Sequence, residues 1–445
     1  MRWLEKYKSK IQSPEEAVKL IKSGFRVYVH PGCALPQILV DAMCDRYKEL
    51  ENVELVHILT VGSARYVEPK YEGHFRHNAL FIGKNARTAV QEGRADFTPV
   101  FLSEIPSLFY KGILPIDVAL IHVSPPDEHG FCSLGVGTEC TKPATEVAKI
   151  IIAQVNPKVP RTLGDCFIHV DKFTACIEVD TPLTELPQVD ADMTPKEAEV
   201  FKKIGENIAN LIDDESTLQL GIGAIPDAVL SFLHGKKHLG LHTEMFSDGV
   251  IRLVEEGVIT NERKTLHPGK IIASFVLGTR SLFDFLDDNP RIEFHPSHYV
   301  NNPFIIAQNK KMVAINSAIQ VDLTGQVCAD SMGTKFYSGF GGQVDFIRGA
   351  ARSEGGKPII ALPSTAKDET ISRITTQLAA GAGVTTSRGD VHYVVTEFGI
   401  ANLHGRTVRE RVDALIRIAH PNFKEELEKY AVQQKFLPAK ITIHK

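Results

Sequence analysis

Short apolar runs rich in β-branched residues alternate with helical patterns along most of the chain, and few folds accommodate that alternation. It predicts an α/β architecture built on largely parallel sheets. Candidate strands include Phe25–Val29, Val118–Val123, Ile150–Gln154, Thr217–Leu220, Ile271–Phe275, Ile359–Leu362 and His392–Thr396. Most run into Gly, Pro or Ser, as the turns that lead from strand to helix do. With 445 residues the chain has material for two or three domains, each with its own core.

The clearest seam runs from about Asp180 to Met193, with Pro182, Pro187, several acidic residues and no sustained period. A helix then opens at Thr194-Pro195-Lys196-Glu197, where threonine caps, proline suits the first turn and Glu197 reaches back. Two α/β domains are therefore expected, over residues 1–185 and 194–445. The halves echo each other. Val29-His30-Pro31-Gly32-Cys33-Ala34-Leu35-Pro36 has the form of Leu220-Gly221-Ile222-Gly223-Ala224-Ile225-Pro226. Gly93–Phe97 likewise pairs with Gly342–Phe346, and Asp117-Val118 with Asp390-Val391. The common order of these echoes points to a duplicated domain and a cleft between the copies.

Several partner classes are excluded on composition. A net charge of −4 leaves no basic excess to neutralise phosphates, so nucleic acid is not expected. No apolar run reaches the roughly 18 residues of a membrane span. The first residues lack the apolar core of a secretion signal, so a cytoplasmic protein is expected. The seven cysteines form no Cys-x-x-Cys pair and read as buried, reduced thiols.

Chemistry concentrates between Gln219 and Gly249. Gly221-Ile222-Gly223 sits between a strand and a helix start, where backbone N–H groups face outward. A dinucleotide fingerprint needs glycine at 226, and proline stands there. The turn reads equally as a tight βα connection or as an oxyanion or phosphate site. Glu244 follows a short strand, Gly240–Thr243, and is flanked by apolar residues, a better place for chemistry than a solvated helix face. The glycine-rich stretch Phe340–Phe346 and the following Ser353–Pro358 do not make a P-loop, because Ala351 and Pro358 stand at two defining positions. Lys367, after a buried strand, can meet a phosphate or simply be solvated. His74-Phe75-Arg76-His77 lacks an acidic partner at metal-binding spacing, so no metal is expected. No Gly-x-Ser-x-Gly elbow supports a serine hydrolase.

Taken with His74–Asn78, Gly93–Pro99, Ser124–Gly130 and Gly339–Phe346, the segments Gly221–Pro226 and His242–Asp248 resemble the acetyl-CoA hydrolase/transferase family. The likeness is greatest to its 4-hydroxybutyrate and butyrate CoA-transferase branch. It implies two similar α/β domains of the CoA-transferase type with the active-site cleft between them. It implies a glutamate nucleophile at Glu244 and coenzyme A contacts at Gly221, Ile222, Gly223, Ala224, Ile225, Ile319, Gly342 and Lys367. The expected reaction moves coenzyme A between short-chain carboxylic acids through a glutamyl-CoA thioester. Acyl-CoA is then a substrate, and no tightly bound cofactor is expected. The remaining readings are an acyl-CoA hydrolase using the same glutamate and a non-catalytic CoA sensor. His30 and His57 are placed either at the acyl side of the cleft or in the core. A homodimer is the expectation from base rates.

Overall fold

The computed structural model describes residues 2–186 and 193–438. The stretch 187–192 of the expected seam, with Pro187, lies outside the described residues.

Two sheets organise the chain. The first has seven strands, all parallel, in the spatial order Asp96–Phe97, Phe75–Ala79, Val53–His57, Arg26–Val29, Val118–Val123, Ile150–Val155 and Ala175–Glu178. The second has six, in the order Gly240–Leu241, Thr217–Gln219, Met312–Ser317, Lys357–Ala361, Tyr393–Thr396 and Gly399–Asn402. Its last strand is antiparallel and the rest are parallel.

The parallel strands read as continuous apolar runs because both faces of each sheet are covered. Along Val118–Val123, Ala119, Ile121 and Val123 enter one apolar cluster, while Val118 and Leu120 enter another with Leu39 and Met43 of the helix Gln37–Asp45. That is the period-two alternation of a strand. In the second sheet Ile359 and Ala361 face one way and Ile360 the other, onto Val412 and Leu415 of the helix Val408–Arg417. A single cluster takes one face of each sheet, from Tyr28 and Val123 to Leu218 and Val395, and so joins the halves.

The order of strands reverses at the same place in both sheets. Arg26–Val29 and Thr217–Gln219 come first, later strands are laid to one side, and the chain then returns to their other side. The echo between these two segments is thus structural. The echo between Gly93–Phe97 and Gly342–Phe346 is not, since Asp96–Phe97 is an edge strand and Gln343–Arg352 a helix. The strand Phe75–Ala79 covers the stretch first weighed for metal ligands. Its polar letters hide a strand because Arg76 alone points outward, and His77 and Asn78 are buried.

The helix Pro195–Ala209 begins with the expected capping box. Thr194 Oγ1 accepts from the Glu197 N–H, and Glu197 Oε2 accepts from the Thr194 N–H at 3.0 Å. Ile204 and Ile208 bury its apolar face. Among the described residues no helix is long and apolar enough to cross a membrane.

Candidate active site

In open parallel sheets, ligands gather at the carboxyl ends of the strands where the strand order reverses. In the second sheet that point lies between Thr217–Gln219 and Met312–Ser317. A cavity of about 190 Å³ opens there, bounded by Gln219, Gly221, Asn316, Ser317 and the corner Gly339–Gly342. Glu244 forms part of its wall, and Phe81 of the first half closes one side.

Local structure fixes Glu244 firmly. It follows the edge strand Gly240–Leu241 and precedes Met245–Phe246, which pairs with Phe275–Val276. The Glu244 carbonyl accepts from the N–H groups of Ser274 and Phe275 at 3.0 and 3.2 Å. Thr243 Oγ1 donates toward the Leu220 carbonyl at 2.9 Å and accepts from the Leu220 N–H at 3.2 Å. The strand that carries the carboxylate is therefore tied to the glycine turn.

The carboxyl group meets two donors. Asn301 Nδ2 donates to Oε2 at 2.8 Å, and the backbone N–H of Gly342 lies near enough to favour the charged form. Gly342 precedes the helix Gln343–Arg352, so this donor belongs to a helix N-terminus, which favours negative charge. The approach is close enough to require glycine, since a Cβ there would lie 2.0 Å from Glu244 Oε2. Burial nevertheless outweighs these bonds and raises the Glu244 pKa to about 7. The group therefore changes charge near neutral pH.

Two fully buried carboxyls lie within reach of the Glu244 charge. Burial raises Glu139 to about 8 and Asp345 to about 7. Glu139 Oε1 accepts from Thr141 Oγ1 at 3.1 Å, and its Oε2 has no partner among the described residues.

The residues assigned by resemblance divide into groups. Gly342 and Gly221 line the Glu244 cavity. Gly223 adopts φ +104 as the residue before the helix Ala224–Ser231, a backbone conformation that favours glycine. Ala224 and Ile225 form the first turn of that helix; the Ile225 side chain is core, and neither residue is part of the Glu244 cavity wall. Ile222 turns outward onto a neighbouring apolar cavity of about 550 Å³, walled by Leu59, Val61, Phe81, Ile82 and Leu277. Phe81 is common to both cavities. Lys367 lies in a third cavity, of about 190 Å³, with Lys196, Phe201 and Arg373. Ile319 joins the strand Met312–Ser317 to Gln320–Asp322, its N–H bonded to the Cys328 carbonyl at 2.8 Å, and is not part of the Glu244 cavity wall.

His30 and His57 are core residues. His30 Nε2 pairs with the Gly137 carbonyl at 2.8 Å, and His57 Nε2 with the Tyr66 hydroxyl at 2.7 Å. Burial lowers His30 to about 3 and drives His57 well down as well, so both are neutral. All seven cysteines are buried free thiols. No group of three His, Cys, Asp or Glu among the described residues is arranged to hold a metal ion. Asn301 and Phe81 were missed by sequence reasoning. Asn301 follows the four-residue helix Ser297–Val300 and nothing in its neighbours marks it.

The family model for the acetyl-CoA hydrolase/transferase N-terminal domain matches residues 1–195, and that for the C-terminal domain matches 278–431. The chain belongs to this family. It is 54% identical over 427 residues to the 4-hydroxybutyrate coenzyme A transferase of Clostridium kluyveri, covering 96% of this chain and 98% of that protein. It is 52% identical to the succinyl-CoA:acetate/propanoyl-CoA:succinate CoA transferase of Fasciola hepatica, across 96% of this chain and 88% of that one. The crystal structure of RipA from Yersinia pestis superposes with a TM-score of 0.92 at 35% identity, covering 98% of this chain and all of that one.

Proposed function

We propose that this member of the acetyl-CoA hydrolase/transferase family moves coenzyme A between short-chain carboxylic acids, with 4-hydroxybutyryl-CoA or butyryl-CoA and acetate as the expected pair. The proposal assigns the nucleophile to Glu244. One observation carries it: a half-buried carboxyl in the cavity at the strand-order reversal, its pKa raised to about 7 by desolvation, with Asn301 Nδ2 bonded to it and Gly342 against it. The names of the Clostridium and Fasciola relatives, both CoA transferases, support the reaction class.

In this reading Glu244 attacks the thioester carbonyl, forming a mixed anhydride and expelling the CoA thiolate. The thiolate then attacks the Glu244 acyl carbon, giving a glutamyl-CoA thioester and releasing the first acid. The second acid attacks this thioester, and the steps reverse. One thioester replaces another, so no external energy source enters. Donors of the kind at Asn301 Nδ2 and the Gly342 N–H stabilise each oxyanion.

The three cavities divide the substrate. The apolar cavity beyond Phe81 suits the acyl chain. The cavity with Lys367, Lys196 and Arg373 suits the phosphates of coenzyme A, because the guanidinium of Arg373 is partly desolvated there. In this reading two domains over 1–185 and 194–445 wall the Glu244 and apolar cavities, and the Lys367 cavity lies within the second domain.

The test is to incubate the protein with butyryl-CoA or acetyl-CoA without acceptor, treat it with borohydride or hydroxylamine, and locate the modified peptide by mass spectrometry. Modification at Glu244 supports the reading. Modification elsewhere removes Glu244 from it, and coenzyme A bound without reaction removes the enzyme.

A further inference from the structure

The motif Gly342-Gln343-Val344-Asp345-Phe346 contains one buried charged group that the mechanism above leaves unused. Asp345 lies in the first turn of the helix whose N-terminus faces Glu244, and only 4% of it is exposed. Its carboxylate does not turn to the cavity. Oδ2 accepts from the Ser103 N–H at 3.1 Å and Oδ1 from Ser103 Oγ at 2.8 Å, across 242 residues of sequence.

Ser103 belongs to the short turn Leu102–Glu104 of the first half, and that turn is held at two more points. The Leu102 N–H donates to the Gly341 carbonyl at 3.0 Å. The Leu102 carbonyl accepts from Ser297 Oγ at 2.9 Å. Gly341 immediately precedes Gly342, the backbone donor to Glu244. Ser297 opens the short helix that Asn301, the side-chain donor, caps, and the Asn301 N–H bonds back to the Ser297 carbonyl at 2.9 Å. Both donors to the nucleophile thus take their position from one two-residue segment of the other half.

We propose that Asp345 is a positioning residue, which by gripping Ser103 sets the Gly342 and Asn301 donors against Glu244. The inference rests on Glu244 as nucleophile. Asp345 touches no substrate in this scheme and acts through backbone register. A displacement of a few tenths of an ångström at Gly342 matters because the glycine already sits against the carboxylate. The charged groups whose fields reach Asp345 are Glu244 and Glu104, both of its own sign, so the Ser103 donors are what compensate its burial when it ionises.

The experiment measures the rate of Glu244 modification by butyryl-CoA, together with kcat and KM, in the wild type, Asp345→Asn, Ser103→Ala and the double variant. Asp345→Asn is expected to slow modification and kcat about 30-fold with KM changed less than about threefold, and Ser103→Ala about 10-fold in the same sense. The double variant is expected to match Asp345→Asn within about twofold, since both changes break one contact. If the wild type labels Glu244 while Asp345→Asn labels at the same rate, the positioning role falls and the nucleophile stands. Effects that multiply, or that fall on KM instead, also overturn it. Failure of the wild type to label Glu244 overturns both readings together. Should Asp345→Asn not fold, Ser103→Ala decides alone, and an unchanged kcat there rejects the proposal.

Discussion

Asn301 and Glu244 stand 57 residues apart in the chain and meet through a single hydrogen bond of 2.8 Å, from Nδ2 to Oε2. The bond favours the carboxylate, opposing the burial that raises its pKa. Removing it should both weaken the site and move its ionisation. Asn301→Ala is expected to lower kcat about 100-fold and to shift the acid limb of the kcat/KM profile to higher pH. Steady-state rates from pH 5 to 9 check this, and an unmoved limb counts against the pair.

Glu244→Ala is expected to abolish transfer, and Glu244→Asp to lower it by at least about 100-fold because the shorter arm withdraws the attacking oxygen. Coenzyme A exchange assays with purified, folded variants measure both. Near-normal turnover in Glu244→Ala would discard the nucleophile.

Glycine at 342 is a steric requirement. A methyl group there would overlap Glu244 Oε2 at 2.0 Å and Asn301 Nδ2 at 2.2 Å, so Gly342→Ala must push the carboxylate off its donors. The expected loss in kcat is about 100- to 1,000-fold, that of a lost oxyanion donor. Circular dichroism showing native secondary structure in the same sample confines the effect to the site.

Activity should rise with pH through about 7, because Glu244 must be ionised to attack and burial holds its pKa there. The kcat/KM of the free enzyme, measured with a non-titrating acyl-CoA, reports this group. A flat profile between pH 5.5 and 8.5 would contradict it.

Glu139 offers a test on stability. Its folded pKa is raised to about 8 from an ordinary 4.5, so its contribution is fully present below pH 4.5 and is lost as pH rises through 8. Glu139→Gln removes that titration. The Tm of the variant relative to wild type is therefore expected to be higher at pH 8.5 than at pH 5, and calorimetry at the two values decides it.

Much of the architecture is written locally. The strands Val118–Val123 and Ile150–Val155 are legible because a strand buried on both faces needs an unbroken apolar run, and the helix at Thr194 because its cap is four adjacent residues. The repeated βα turns at Val29–Pro36 and Leu220–Pro226 betray the shared order of the two sheets for the same reason. The resemblance singles out Glu244 and the glycine turn, since the residues that carry it are contiguous. The strand Phe75–Ala79 is not, because its polar residues are buried by neighbours distant in sequence.

Only the folded chain decides which residues surround Glu244. Asn301 and Phe81 reach the site from separate elements, Ser103 and Asp345 meet behind it, and no spacing in the sequence encodes a contact across 57 or 242 residues. The same holds for ionisation. A carboxylic acid in sequence carries its ordinary pKa, and the rise at Glu244, Glu139 and Asp345 comes from desolvation, which exists once the chain has folded around them. Local sequence determined the elements and the candidate carboxylate; tertiary packing, which alone brings distant segments together and excludes water, determined its donors, its charge and the cavity it lines.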